Sequence, residues 1–171
     1  MQRRARLSAG AFVYPPMSIS SPYARGLTAG ATAAAATLGM LLGFGRREGT
    51  PWRLLNAAAH VVIGARADDV WGGQLDVTPM GAAVVILVSL AAGILVARLA
   101  PPHRVWHLIA AVAVVSLTGY LAHFHVGART PGGLAALLSV GELRALYAVF
   151  GVALFAGMRI AFTSVGRSPA P

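Results

Sequence analysis

The stretch Thr78-Pro79-Met80-Gly81-Ala82-Ala83-Val84-Val85-Ile86-Leu87-Val88-Ser89-Leu90-Ala91-Ala92-Gly93-Ile94-Leu95-Val96-Ala97-Arg98 decides the fold class. From Met80 to Ala97 it carries no charge, and crossing a hydrocarbon core at 1.5 Å per residue takes roughly 20 apolar residues. Both ends are marked, by the helix-starting Thr78-Pro79 and by Arg98. A soluble fold would have to cover such a helix with polar surface, and the chain has little to offer. Of 171 residues, 57% are hydrophobic and 11% charged, against about 25% charged in soluble domains. The expected fold is therefore all-α and embedded in a membrane.

Three more stretches meet the same criterion. One runs over 26–45 between Arg25 and the Arg46-Arg47 pair, is rich in Ala, and contains Thr28, Thr32 and Thr37, whose hydroxyls can bond back to the helix. Another runs over 105–122, with Trp106 and Tyr120 at its ends, preceded by Pro101-Pro102-His103-Arg104 and followed by His123-Phe124-His125. The last runs over 145–163, where Arg159 lies close enough to the end for its guanidinium to reach the headgroups. Residues 1–25 read as a basic tail and 164–171 as a C-terminal tail. The apolar run Leu7–Tyr14 meets Pro15-Pro16 too soon for a signal peptide, and Met17 offers an alternative start.

Sorting the charges across four crossings gives one side Arg3, Arg4, Arg6, Arg25, Arg98, Arg104, Arg159 and Arg167. The other side holds six Arg and all five acids, Glu48, Asp68, Asp69, Asp76 and Glu142. Eight against six places both termini in the cytoplasm of a bacterium by the positive-inside rule. All fourteen basic residues are Arg, the net charge is +9, and they lie at span ends and in tails rather than gathered on one face. Anionic lipid is the partner this distribution predicts, not nucleic acid.

The loop from Arg46 to Thr78 is too long for a simple turn. Thr50 can cap a helix, Pro51 suits its first position, and the pattern continues to Ala65. Trp52, Leu55, Ala59 and Val62 share one face and Arg53, Asn56 and His60 another, so 51–65 reads as an amphipathic helix lying in the interface, with Trp52 at headgroup level. It is the expected interaction surface: Trp52, Arg53, Leu55, Asn56, His60 and Trp71, offered to other membrane proteins or to a second copy. The acidic, glycine-bearing stretch 67–73 returns the chain to the next span.

The run Arg46-Arg47-Glu48-Gly49-Thr50-Pro51-Trp52, then Leu55-Asn56-Ala57-Ala58-Ala59-His60 and Trp71-Gly72, resembles a set of small, uncharacterised bacterial multi-span integral membrane proteins. The resemblance covers some thirty residues and implies the architecture, with no activity attached.

The absence of Cys leaves His and the carboxylates to carry any chemistry. His60, His123 and His125 share a side with the acids and are the metal candidates, against the plainer reading of His bonded to headgroups, water or a loop carbonyl. His123 and His125 point apart on a helix, so binding one ion with both would need an extended turn there. His103 and His107 have the helical spacing but no carboxylate in their loop. His107 and His125 fall on one helix face as stacked haems would require, yet the other spans offer only Met40, Met80 and Met158 as further axial ligands.

No span contains Asp or Glu, and a transporter would have only Ser89, Ser116 and Thr118 as polar lining. The chain lacks G-x-S-x-G, H-E-x-x-H, a P-loop and a dinucleotide fingerprint. Gly26-x3-Gly30 and Gly39-x3-Gly43 allow close helix packing on the first span. The expectation is a structural, assembly or accessory membrane protein without a cofactor. A metal- or haem-binding subunit is the first alternative, a small transporter or channel the second.

Overall fold

The computed structural model describes residues 21–100, 104–127, 129 and 132–165. The basic tail up to residue 20, Met17, His103 and the tail from residue 166 lie outside the described residues. In chain order the elements are α1 (Pro22–Arg47), α2 (Arg53–Ala58), α3 (His60–Ile63), a single 3-10 turn (Gly64–Ala67), α4 (Thr78–Leu99), α5 (Val105–Gly127), α6 (Leu134–Leu137) and α7 (Val140–Val165). Four of them, α1, α4, α5 and α7, are long and apolar enough to cross a membrane, which makes this a multi-pass membrane protein.

Each of these helices outruns its apolar core, for local reasons. α1 starts at Pro22 because Ser21 caps it: the Ser21 Oγ accepts from the Ala24 N–H at 3.2 Å, and Pro22 needs no partner in the first turn. α7 starts at Val140 because Ser139 and Glu142 form a capping box. The Glu142 Oε2 accepts from the Ser139 N–H at 3.0 Å, and the Ser139 Oγ accepts from the Glu142 N–H at 3.3 Å. α5 runs on through His123 and His125 to Gly127, where an end at Ala122 was expected.

α1 packs against both α4 and α7, and its small residues make that possible. A methyl group placed on Gly93 of α4 would lie 2.2 Å from the Gly26 carbonyl oxygen and 2.5 Å from the Gly30 nitrogen. On the other flank, Gly157 of α7 sits against the Ala29 Cα, where a methyl would come to 2.6 Å. Burying apolar atoms gains little when the alternative is lipid, so close contact is what holds these helices together. Gly39 and Gly43, the second small pair, face open space instead.

Around α1 the buried side chains form one cluster, with Ala29, Ala33, Val96, Leu108, Phe150, Leu154 and Met158. A second lies toward the end of α1 and holds Leu41, Leu54, Leu55, Val85, Leu138, Leu143 and Leu146. The Tyr23 hydroxyl accepts from Arg98 at one end of the bundle, and Arg47 faces Glu142 at 3.8 Å at the other.

The segment 51–65 is helical as expected but not as one continuous helix. It is divided into α2, α3 and the 3-10 turn, with Gly64 at φ +64° ending the regular part. Its α2 part packs against the end of the bundle, with every residue from Leu54 to Ala59 buried, while Trp52, Val61 and Val62 stay exposed. Gly81 allows this, because a methyl there would fall 1.8 Å from the Leu55 carbonyl oxygen.

Candidate functional site

What draws α2 inward is a polar side chain. Asn56 is fully buried, and its amide is satisfied on both sides: Nδ2 donates to the carbonyls of Val70 and Gly72, each at 2.9 Å, and Oδ1 accepts from the Thr78 hydroxyl at 2.7 Å. The Thr78 Oγ1 in turn accepts from the Gln74 N–H at 3.0 Å. A buried amide must find such partners or it destabilises the fold, so one residue of α2 fixes the whole return loop. Arg53 adds a second tie, donating to the Asp68 carbonyl oxygen and stacking on the Trp71 ring with its guanidinium carbon 4.1 Å from the ring centre.

The loop so fixed delivers a carboxylate to a histidine. Asp68 Oδ2 lies 2.7 Å from His60 Nδ1, and Asp68 Oδ1 accepts from the Gly133 N–H at 3.0 Å. Both side chains are mostly shielded. Gly132 and Gly133 cross over the pair at φ +103° and +71°, backbone that other residues rarely adopt. A methyl on Gly132 would meet Asp68 Oδ2 at 2.2 Å and the His60 Cε1 at 2.7 Å, so only glycine allows the backbone this close. Because carboxylate oxygens only accept, Nδ1 carries a proton and donates to Asp68 Oδ2. Among the described residues, Nε2 has no partner.

His60 borders a cavity of about 640 Å³. Its walls are Val84, Val88, Ala91 and Leu95 along one face of α4, Val115, Gly119, Ala122 and His123 of α5, and Leu146, Tyr147 and Phe150 of α7, with Thr37 and Leu41 of α1 behind. α2, Gly132, Gly133 and α6 close the end nearest the loops. Val88, Ala91, Leu95 and Ala122 are exposed, so the cavity communicates with the surroundings between α4 and α5. Those two helices meet through Val96, Ala100 and Leu108, toward the other end.

Among the described residues, no Arg, Asp or Glu lines the cavity. Its polar groups are His60, His123, Tyr147, Ser89 and Thr37. His123 Nδ1 lies 3.3 Å from the Tyr147 hydroxyl, and the Ser89 hydroxyl donates to the Val85 carbonyl at 2.7 Å. Thr28 and Thr32 bond back to α1 as expected, but the buried Thr37 Oγ1 finds no partner among the described residues.

The metal candidates are only partly brought together. His60 and His123 border the same cavity. His125 does not: α5 stays helical, with no extended turn, so His125 points away from His123, is exposed, and packs its ring against Phe124. Among the described residues, no three His, Asp or Glu side chains group as a metal site would require. Of the haem candidates, His107 is exposed and Met158 is fully buried in the apolar cluster with Leu154 and Phe150.

In the expected interaction surface, Trp52 and Trp71 are exposed, Arg53 is half-buried on Trp71, and Leu55 and Asn56 are turned inward. Ser116 borders a smaller cavity of about 360 Å³ between α5 and α7, and Thr118 is exposed. Reading the sequence alone passed over Asp68 as a partner of His60, Gly132-Gly133 as a strap, and Tyr147 and Thr37 as cavity residues. Only the double glycine after Pro131 is a local signal for any of these.

No protein-family model, no curated protein and no solved structure matches this chain.

Proposed function

We propose that this is a small accessory protein of a bacterial cytoplasmic membrane, with both termini in the cytoplasm, and that it holds an amphiphile taken from the bilayer. The observation that carries the reading is the cavity: about 640 Å³, within the range of ligand sites, set among membrane-spanning helices and open on one side between α4 and α5. Its uncharged lining suits a hydrocarbon chain, and the polar groups at its loop end suit a small head. The Thr37 hydroxyl, without a partner among the described residues, adds a further group for a ligand to satisfy. The excess of Arg on the side of the termini supports the orientation and a shell of anionic lipid.

Exposed Val61 and Val62 of α3, with Trp71 and Leu75 of the loop after it, support a seat at headgroup level, where such side chains are at home. A second reading, a metal-binding subunit, draws on one feature: a carboxylate orienting a histidine through Nδ1, as carboxylates do behind metal-bound His.

The test is native mass spectrometry of the full chain released from nanodiscs made with its own membrane lipids. Wild type is expected to retain one lipid-sized mass. Ala92→Phe, which fills the cavity wall, is expected to lose it, while Leu75→Ser, on the exposed loop, keeps it. Equal retention by both variants, or no retained mass in wild type, would remove the proposal, and a bound metal ion would favour the second reading.

A further inference from the structure

On the premise that the cavity holds an amphiphile, a hydroxyl in its wall specifies the ligand's chemistry. We infer that Thr37 is a ligand-binding residue and that the ligand is an acyl ester. Its carbonyl oxygen accepts from the Thr37 hydroxyl, with its head toward His60 and its chain along α4.

The other hydroxyls of α1 and α4 set the contrast. Thr28, Thr32 and Ser89 each donate to the carbonyl four residues back in their own helix, at 3.1, 2.9 and 2.7 Å. That is an ordinary solution for a hydroxyl on an apolar helix. Thr37 is 8% exposed and lines the cavity, yet its Oγ1 has no partner among the described residues. A buried hydroxyl needs an acceptor for its proton, and leaving it without one is costly. The complement is an acceptor oxygen brought by the ligand. A threonine hydroxyl keeps its proton at every pH at which the protein folds, so the assignment holds whatever charge His60 or the ligand's head carries.

The depth of Thr37 decides the kind of acceptor. α1 and α4 run past each other in opposite directions, with Gly26 against Ile94 and Gly30 against Leu90. Counting on from Gly30, Thr37 comes level with Ala83 and Val84, where the α4 wall of the cavity starts. From Val84 to Leu95 that wall continues for about 16 Å at 1.5 Å per residue, through Val88, Ala91 and Ala92. The hydroxyl in it, Ser89, is already bonded to its own helix, so this length suits a hydrocarbon chain. On the other side of Thr37 the cavity continues to His60, Gly132 and Gly133. The acceptor therefore sits part-way along the ligand, with chain on one side and head on the other, which is where an ester carbonyl lies. A free carboxylic acid would carry it at the tip and leave the His60 end empty.

The experiment uses the full-length protein in nanodiscs of ether-linked phosphatidylcholine, which brings no acyl carbonyl to compete. Two glycerol lipids with a diazirine in the chain are compared, 1-hexadecanoylglycerol and 1-O-hexadecylglycerol, the second having a methylene in place of the carbonyl. The readout is photolabelling of the α4 wall between residues 84 and 95. Wild type is expected to favour the ester about fivefold, the effect of one neutral hydrogen bond between otherwise matched ligands.

Thr37→Val keeps the shape and removes the hydroxyl, so the ester should fall to parity with the ether; Thr37→Ala reads the same ratio if the Val variant does not fold. Thr37→Ser keeps the hydroxyl and should keep the preference. Ser116→Ala, which removes a hydroxyl from the smaller cavity, should also keep it. Because the Thr37 hydroxyl bonds to nothing among the described residues, Thr37→Val without probe should unfold no earlier than wild type in dodecyl sulfate. Equal labelling by ester and ether in wild type, or a preference that survives both Thr37→Val and Thr37→Ala, would overturn the assignment and leave the cavity reading standing. Stronger labelling by the matched hexadecanoic acid probe than by the ester would overturn it in favour of a free acid. Failure of every probe to label the wall in wild type would instead remove the amphiphile reading on which the assignment rests.

Discussion

Replacing Asn56 with Ala tests the claim that one buried amide organises the loop end of the protein. The variant loses three hydrogen bonds, two at 2.9 Å and one at 2.7 Å, and what it leaves behind matters more than the bonds themselves. Val70 is buried, so its carbonyl is stranded, at about 1–3 kcal/mol. Gly72 is exposed and its carbonyl can turn to water, while Thr78 keeps its bond from Gln74; these two lose about 0.5–1.5 kcal/mol each. The expected total is about 2–6 kcal/mol. Such a loss is large beside the marginal stability of folded chains.

The assay is reversible unfolding of the purified chain in mixed micelles with rising dodecyl sulfate, followed by circular dichroism. Thr78→Val and the double variant complete a cycle, for which the expected coupling is about 1 kcal/mol. A loss below about 1 kcal/mol for Asn56→Ala, together with zero coupling, would refute the reasoning: the loop would then be held by something other than this amide.

Gly93→Val should disrupt the α1–α4 contact, since even a methyl there meets backbone atoms of Gly26 and Gly30 that cannot move aside; loss of folded protein after detergent extraction is the readout, with Gly39→Val tolerated because open space surrounds it. Gly132→Ala should weaken the His60–Asp68 arrangement both by strain at φ +103° and by contact with the carboxylate, and the loop should become protease-sensitive while the four long helices keep their circular dichroism. Ser139→Ala removes the cap of α7 and should destabilise by about 1 kcal/mol in the same micelle titration. Arg66→Ala, which breaks an exposed pair with Asp76, should change stability by less than about 1 kcal/mol.

The long helices were legible because crossing a membrane imposes a length on an uninterrupted apolar run, and that requirement is local in sequence. Their ends were less so: Ser139 and Glu142 spell a capping box, but the apolar count begins later and masks it. The loop helix was legible but the facing of Asn56 was not: amphipathic spacing ranks it with the outward polar residues, whereas its partners at Val70, Gly72 and Thr78 make burial favourable. His60 could be marked as chemically able, but Asp68 and Gly133 reach it only through folding, one of them from the far side of α5 in the chain. A periodicity reports which way a side chain faces on an isolated helix. It carries no information about a donor that arrives from 65 residues downstream.

The interlocked glycines of α1 and α4 also bear on how the chain is made. α1 is the least apolar of the four long helices, and the surfaces that let it sit tightly against its neighbours belong to α4 and α7, both synthesised later. During translation it therefore waits in the bilayer with Gly26 and Gly30 uncovered, until α4, the most apolar helix, arrives to clasp it. The order of synthesis thus puts the weakest inserter first and its anchor second. Slow delivery of α4 would leave the nascent chain exposed to membrane quality control at that stage.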